Sequence, residues 1–247
     1  MLATKSLAAE SAPSRTAHGG VQRIAIVVYP GMAALDMAGP QLIFAALENT
    51  DVQLVWKDRK TVLSDTGVPI VPTAAFGEVA DGPAVLFVPG GSDAYPLMND
   101  PNVVGFLQRV GPTAKYVTSV CTGALVIGAA GLLRGYRATT HWLFRDVLAS
   151  LGAEPVAERV VVDRNRITGA GVTAGLDFGL SMAAKLRGDD YARMLQLAIE
   201  YDPQPPFDAG SEAKAGERVD REVRSIFAAQ VASAKKNAAL VHERRGR

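Results

Sequence analysis

Four short apolar runs, rich in β-branched residues and separated by segments of helical period, constrain this chain more than any other feature of it. They are Arg23-Ile-Ala-Ile-Val-Val-Tyr29, Val52-Gln-Leu-Val-Trp56, Ala84-Val-Leu-Phe-Val88 and Lys115-Tyr-Val-Thr-Ser-Val120. Runs that stay apolar at successive positions belong to strands covered on both faces, which is the condition of a parallel sheet. Between and after them, Met37–Leu47, Val103–Val110, Thr122–Ala130 and Trp142–Leu151 space apolar residues three and four apart, as helices packed on a sheet require. Val160-Val-Val162 and Arg166-Ile-Thr168 flank Asp163-Arg-Asn165 and predict a hairpin at the sheet edge, and Ala174–Tyr201 predicts two more helices. The expected architecture is one α/β domain with a mostly parallel central sheet of those four strands and helices on both faces.

The length of 247 residues, 48% of them hydrophobic, suffices for the core of one such domain. Its 26 Lys and Arg against 25 Asp and Glu leave a net charge of +1, so no overall field gathers nucleic acid or an anionic membrane. The expected partner is a small molecule, with no nucleic acid and no membrane, since no stretch nears the roughly 18 apolar residues of a bilayer span. The single cysteine forms no internal disulfide, and His18, His141 and His242 are too scattered for a multi-ligand zinc site. No metal or other cofactor is expected, and the cytoplasm is the expected compartment. Residues 1–21 are Ala/Ser-rich without a signal-peptide apolar core and read as a flexible leader. The α/β domain is expected over 22–210, and 211–247 as a charged C-terminal helical extension. There Val219, Val223, Ile226 and Phe227 make an apolar stripe for packing on the chain's own domain or on a dimer mate.

Chemistry is suggested where a buried strand runs directly into a small-residue helix with Cys121 at the join, the pattern of a nucleophile elbow. Gly123 and Ala124 keep bulk out of the first helical turn, and N–H groups at that helix start favour the thiolate. The competing reading is a buried structural cysteine. In Val88-Pro-Gly-Gly-Ser92, Gly90 and Gly91 present N–H donors for an oxyanion hole or a substrate-facing wall, or simply make a tight turn. Asp36, in Ala34-Leu-Asp-Met-Ala-Gly-Pro40, either caps the first helix or carries a proton to substrate, with Pro40 in a turn whose N–H groups are unpaired anyway. All three segments follow strands whose carboxyl ends share a crevice. His141 opens a helix, as a cap or as an active-site group. Thr168-Gly-Ala-Gly-Val-Thr-Ala-Gly175 has the wrong glycine spacing for a dinucleotide fingerprint and reads as close packing. Asp177-Phe-Gly179 lacks every companion motif of a kinase.

Taken in order, Leu35-Asp36-Met-Ala-Gly-Pro40, Pro89-Gly-Gly91, Val117-Thr-Ser-Val-Cys-Thr-Gly123, Ala130-Gly-Leu-Leu-Arg-Gly135 and Ala138-Thr-Thr-His-Trp142 resemble the DJ-1/PfpI superfamily over about residues 22–210. The resemblance implies a flavodoxin-like, class I glutamine amidotransferase-like fold, a cysteine nucleophile on its elbow, and a homodimer. Asp36 where many members carry glutamate, Thr122 after the cysteine, and Pro205-Pro-Phe-Asp-Ala-Gly-Ser211 resemble the branch that hydrates isonitriles to N-substituted formamides. That likeness implies a thioimidate on Cys121, proton transfer by an Asp36 kept protonated by burial, Thr122 holding substrate or water, Gly90 and Gly91 lining the pocket, and His141 behind them. Two other readings of the same fold stand beside it: a redox sensor or chaperone whose Cys121 oxidises, and a glyoxalase-like or amidase-like enzyme. Proteases of the superfamily carry histidine where Thr122 stands, amidotransferases need a His-x-Glu pair that is absent, and the residues after Ser211 are too few for the helix-turn-helix module of related regulators.

Overall fold

The computed structural model describes residues 20–246; the leader expected before them, with His18, lies outside the described residues. Strands form at β1 (Gln22–Val27), β2 (Thr50–Trp56), β3 (Val62–Leu63), β4 (Pro69–Ile70), β5 (Ala74–Ala75), β6 (Val85–Val88), β7 (Tyr116–Val120), β8 (Arg137–Ala138), β9 (Glu154–Pro155), β10 (Val160–Asp163) and β11 (Arg166–Gly169). Helices form at α1 (Ala34–Ala45), α2 (Ala94–Leu97), α3 (Pro101–Val110), α4 (Gly123–Ala129), α5 (Arg145–Ser150), α6 (Ala174–Arg187), α7 (Asp189–Ala198), α8 (Glu212–Ala215), α9 (Glu217–Ile226) and α10 (Ala228–Arg245). Among the described residues the main sheet has seven strands in the order β10-β11-β7-β6-β1-β2-β5, parallel except for the β10–β11 pair.

One row of residues, Leu54–Ile26–Phe87–Thr118–Ile167, lies in register across five strands. That alignment brings the carboxyl ends of β1, β6 and β7 level with one another, so the loops carrying Asp36, Gly90 and Cys121 leave the sheet side by side. Two strand expectations need correction. The predicted hairpin forms, but only β10 is an edge; β11, buried along its length, inserts in parallel against β7. Conversely β2, expected to be central, has only the two-residue β5 outside it. The short β3–β4 and β8–β9 pairs carry too few residues to leave a period in the sequence.

Helix α1 starts at Ala34, earlier than the apolar spacing predicts, so Pro40 lies inside the helix rather than in its first turn. Its missing N–H leaves the Asp36 carbonyl without the usual partner one turn on. The glycines opposite take up the ring: a Cβ on Gly175 would stand 3.1 Å from Pro40 Cδ, and one on Gly179 would stand 2.9 Å from Ile43 Cγ1. Close α1–α6 packing is thus the reason for these glycines. Beneath that contact Phe87 stacks on Phe178 at 5.2 Å, and Phe44 meets both edge-on at 6.1 Å.

The C-terminal segment docks on the chain itself. Ala234, Ala238 and Val241 form the buried stripe of α10, which packs against α2 and α5. Its last turn donates from Arg244 to Met98 O and Ala129 O, and from Arg245 to Gly128 O, Ala129 O and Leu151 O. Of the predicted stripe on α9, Val219, Val223 and Phe227 are half-buried and Ile226 is exposed. No described helix is long and apolar enough to cross a membrane.

Two glycine substitutions should respond in opposite directions in urea unfolding. Gly179→Val overpacks Ile43 and should cost about 1–3 kcal/mol. Gly105→Ala, in the exposed interior of α3 with nothing within 4 Å of the added methyl, should stabilise by up to about 1 kcal/mol.

Candidate active site

At the end of β7 the backbone turns through Cys121 at a φ of +54°, in the left-handed region that an L-residue adopts only under constraint. The constraint is visible on both sides of the residue. Cys121 N donates to Gly169 O at 3.1 Å and Ala170 O at 2.7 Å, and Thr140 Oγ1 donates to Cys121 O at 2.8 Å. The carbonyls come from the end of β11, which its interior position in the sheet places beside the elbow. Gly123 then lets α4 start directly over the end of β6, because a Cβ there would lie 2.1 Å from Val88 O.

Asp36 sits in the first turn of α1 and is fully buried. It is not the cap: that position is Ala33, which has no capping side chain. Its Oδ2 instead accepts from Gly90 N at 2.9 Å across the crevice. Gly90 is what allows the three segments to meet, since a Cβ on it would stand 2.6 Å from Thr122 N, 2.7 Å from Asp36 Oδ2 and 2.8 Å from Cys121 Cβ. Gly91 N donates to Thr122 Oγ1 at 2.9 Å, and that hydroxyl donates back to Gly91 O at 3.1 Å. The N–H groups expected to face a developing oxyanion are therefore both committed to side chains, so the glycine loop braces Asp36 and Thr122. Asp36 Oδ1, by contrast, makes no hydrogen bond of ordinary geometry among the described residues.

Burial, more than any partner, pushes the Asp36 carboxyl up from 3.8 to about 7, against the opposing pull of Gly90 N–H and the neighbouring Cys121 thiol. Burial also pushes the Cys121 thiol well above its usual value, and the negative charge of Asp36 adds to it. The Thr122 N–H and hydroxyl pull the other way and lose. This corrects the expectation of a thiolate favoured by the helix start: a buried carboxyl beside the sulfur outweighs the amides. Near neutrality the pair keeps at least one proton.

Cys121, Asp36, Thr122, Gly90 and Gly91 are thus brought together, but His141 is not part of their contact. Its Nδ1 accepts from Leu143 N at 3.4 Å, capping the 3-10 turn Trp142–Phe144, and burial lowers its pKa to about 4, so it is neutral near pH 7. It faces a cavity of about 660 Å³ lined also by Trp142, Val172 and Phe207, whose wall reaches the elbow at Thr140 and Ala170. Its neighbour Thr140 is the residue of that motif that reaches the elbow. Two tyrosines that the sequence reading passed over also border the site: Tyr29, whose hydroxyl donates to Pro89 O at 3.0 Å, and Tyr95 on α2, stacked on Phe144 at 5.4 Å. Among the described residues no three His, Cys, Asp or Glu side chains gather as metal ligands would.

A family model described as the DJ-1/PfpI family matches residues 22–185 of the chain. A Pseudomonas putida protein named isonitrile hydratase is 48% identical over 204 residues, 82% of this chain and 88% of that protein. The HTH-type transcriptional regulator GbdR of Pseudomonas aeruginosa is 30% identical over 185 residues, covering 71% of this chain but 45% of the regulator. Among solved structures, a ThiJ/PfpI family protein from Pseudomonas syringae matches with a TM-score of 0.87 and 50% identity, covering 89% of this chain and 91% of that one.

Asp36→Asn should lower the pH midpoint of Cys121 alkylation by iodoacetamide by about 1–2 units, because it removes the neighbouring negative charge. It should also change the pH dependence of stability. Folded Asp36 holds its proton up to about 7 but unfolded only to 3.8, so wild-type stability falls as pH rises from about 4 through 7, by up to about 4 kcal/mol. Urea midpoints of the Asn variant should lack that decline.

Proposed function

Because this chain belongs to the DJ-1/PfpI family, we propose that it is an isonitrile hydratase, adding water to an isonitrile to give an N-substituted formamide through a thioimidate on Cys121. The observation that carries this reading is the buried Cys121–Asp36 pair, which retains a proton near neutrality and leaves Asp36 Oδ1 unpartnered. The identity to a hydratase over most of both chains supports the same reaction.

The terminal carbon of an isonitrile accepts a nucleophile only if a proton reaches the same carbon as negative charge develops on it. Cys121 Sγ bonds to that carbon while the proton held by the pair passes to it through Asp36, and the C≡N bond becomes C=N. The product is a neutral thioimidate beside an Asp36 carboxylate. That carboxylate then takes a proton from water as the water oxygen attacks the thioimidate carbon, and delivers it to the nitrogen. When the C–S bond breaks, the remaining hydroxyl proton returns to the pair and the formamide leaves. One water is consumed, no electrons are exchanged, and no cofactor enters.

In this reading Thr122 steadies the sulfur, while Gly90 and Gly91 line the pocket and fix Asp36 and Thr122 in place. His141 acts only at a distance, through the turn that carries Thr140. A raised thiol pKa favours the hydratase over a redox sensor, since oxidation-sensitive cysteines are those held as exposed thiolates. We place the protein in the cytoplasm, where a lone thiol nucleophile stays reduced. A homodimer, as the family resemblance implies, would cover the exposed Leu35 and Leu42 of α1. The balanced charge gives nucleic acid no part.

Purified protein given n-butyl isonitrile should form N-butylformamide, and Cys121→Ala should form none. Asp36→Asn should still be alkylated yet turn over about 10²–10⁴ times more slowly. Folded wild-type protein that yields no formamide, or an Asn variant with normal turnover, overturns the assignment of reaction or of proton carrier respectively.

A further inference from the structure

Two segments singled out in the sequence, residues 139–142 and 205–211, supply no proton carrier to the reaction at Cys121. Both wall the same cavity of about 660 Å³. Its lining begins at the nucleophile's own backbone partners: Thr140, whose hydroxyl donates to Cys121 O at 2.8 Å, and Ala170, whose carbonyl accepts from Cys121 N at 2.7 Å. On the Gly90 side the elbow is closed, since a Cβ on Gly90 would already stand 2.6 Å from Thr122 N and 2.8 Å from Cys121 Cβ. A second cavity, of about 370 Å³ beside Lys57, Phe76 and Phe106, shares no lining residue with the elbow or its partners. The larger cavity is faced by the apolar side chains of Trp142, Val172 and Phe207, the last of them 79% exposed. Every acidic or basic side chain on its lining already has an opposite charge. Arg145 pairs with Glu212, Arg159 with Asp177 at 2.7 Å, Lys214 with Asp208 at 2.7 Å and Glu158 with Arg137 at 3.1 Å. A charged group entering there would give up its hydration and find no free counter-ion.

We propose that this cavity receives the N-substituent of the substrate, and that the chain acts on isonitriles carrying a large, uncharged, ring-bearing apolar group. The inference rests on the hydratase reading above. An isonitrile is linear through its carbon and nitrogen, so its substituent points away from the reacting carbon and needs room outside the closed Cys121–Asp36 contact. The cavity that starts at Thr140 and Ala170 supplies that room. Its volume is that of a site for a drug-sized group, far more than a butyl chain fills. The wall sets the chemistry of the group: the indole of Trp142 and the phenyl of Phe207 favour a ring, and the paired charges of the lining reject a carboxylate or an ammonium. Phe207 gains most, because a ring seated in the cavity covers apolar surface that water now reaches. Trp142, Val172 and Phe207 are thus specificity-determining residues, set apart from the groups that move protons.

The test uses three primary alkyl isonitriles with the same reacting carbon: n-butyl isonitrile, 4-phenylbutyl isonitrile, and 5-isocyanopentanoate, which ends in a carboxylate. In wild type, kcat/KM for the phenylbutyl compound should exceed that for n-butyl about 10- to 100-fold, the worth of burying one phenyl ring. The carboxylate should gain nothing over n-butyl. Ala157→Trp puts an indole into the cavity from an exposed position of its lining, and should cut the phenylbutyl-to-butyl ratio about tenfold with an unchanged thermal midpoint. Phe207→Ala, which takes away one wall, should cut the ratio about threefold. A wild-type ratio near one, a ratio that neither variant moves, or a carboxylate preferred over n-butyl overturns the inference, while turnover of n-butyl isonitrile keeps the hydratase reading intact. If wild type hydrates none of the three, the hydratase reading fails and the inference falls with it.

Discussion

The site depends on one backbone conformation that the surrounding chain must hold against its preference. Cys121 in the left-handed region costs on the order of 1–3 kcal/mol, and the residue stays there because neighbours on two sides engage its N–H and its carbonyl. That requirement propagates outward. The carbonyls of Gly169 and Ala170 reach the elbow because β11 runs inside the sheet, and β11 can do so because β10 takes the edge in its place. Gly123 and Gly90 follow from the same turn: the elbow is so close to the end of β6 that no side chain fits at either position.

Packing so dense has an electrostatic result. With the carboxyl and the thiol both excluded from water, neither ionises easily, and the carboxyl keeps its proton far above the pH at which a solvated one would lose it. The amides that a helix start offers are too weak to reverse this and are mostly engaged elsewhere. In the proposed hydration, reactivity comes from moving a proton between the two groups and the substrate, rather than from a standing thiolate. A single carboxyl oxygen left without a partner is what makes that movement available.

Much of this was legible in the sequence, for physical reasons that also explain the gaps. Strands buried on both faces announce themselves as apolar runs, and a strand that ends in a reactive residue followed by Gly123 announces an elbow. The start of α1 is hidden in the sequence because its cap is Ala33, which carries no polar signal, and because Pro40 inside a helix is tolerated only through glycines on a segment more than a hundred residues away. Gly90 and Gly91 stand out as a pair, but the destination of their N–H groups depends on Asp36 and Thr122 folding against them. Tyr95 left no trace at all: in Gly91-Ser-Asp-Ala-Tyr-Pro96 it is a lone aromatic in a stretch too short for a period.

The guanidinium groups of Arg244 and Arg245 close the carboxyl-terminal carbonyls of α4, the same helix whose opposite end presents the nucleophile. They also hold the residues that follow α2 and α5, so three helix ends are tied together by the last turn of α10. During synthesis, which delivers the amino-terminal portion first, the whole sheet and the elbow emerge while these carbonyls still face water. The sheet and the elbow are thus complete in the sequence before α10, and the docking of that helix is what closes these helix ends.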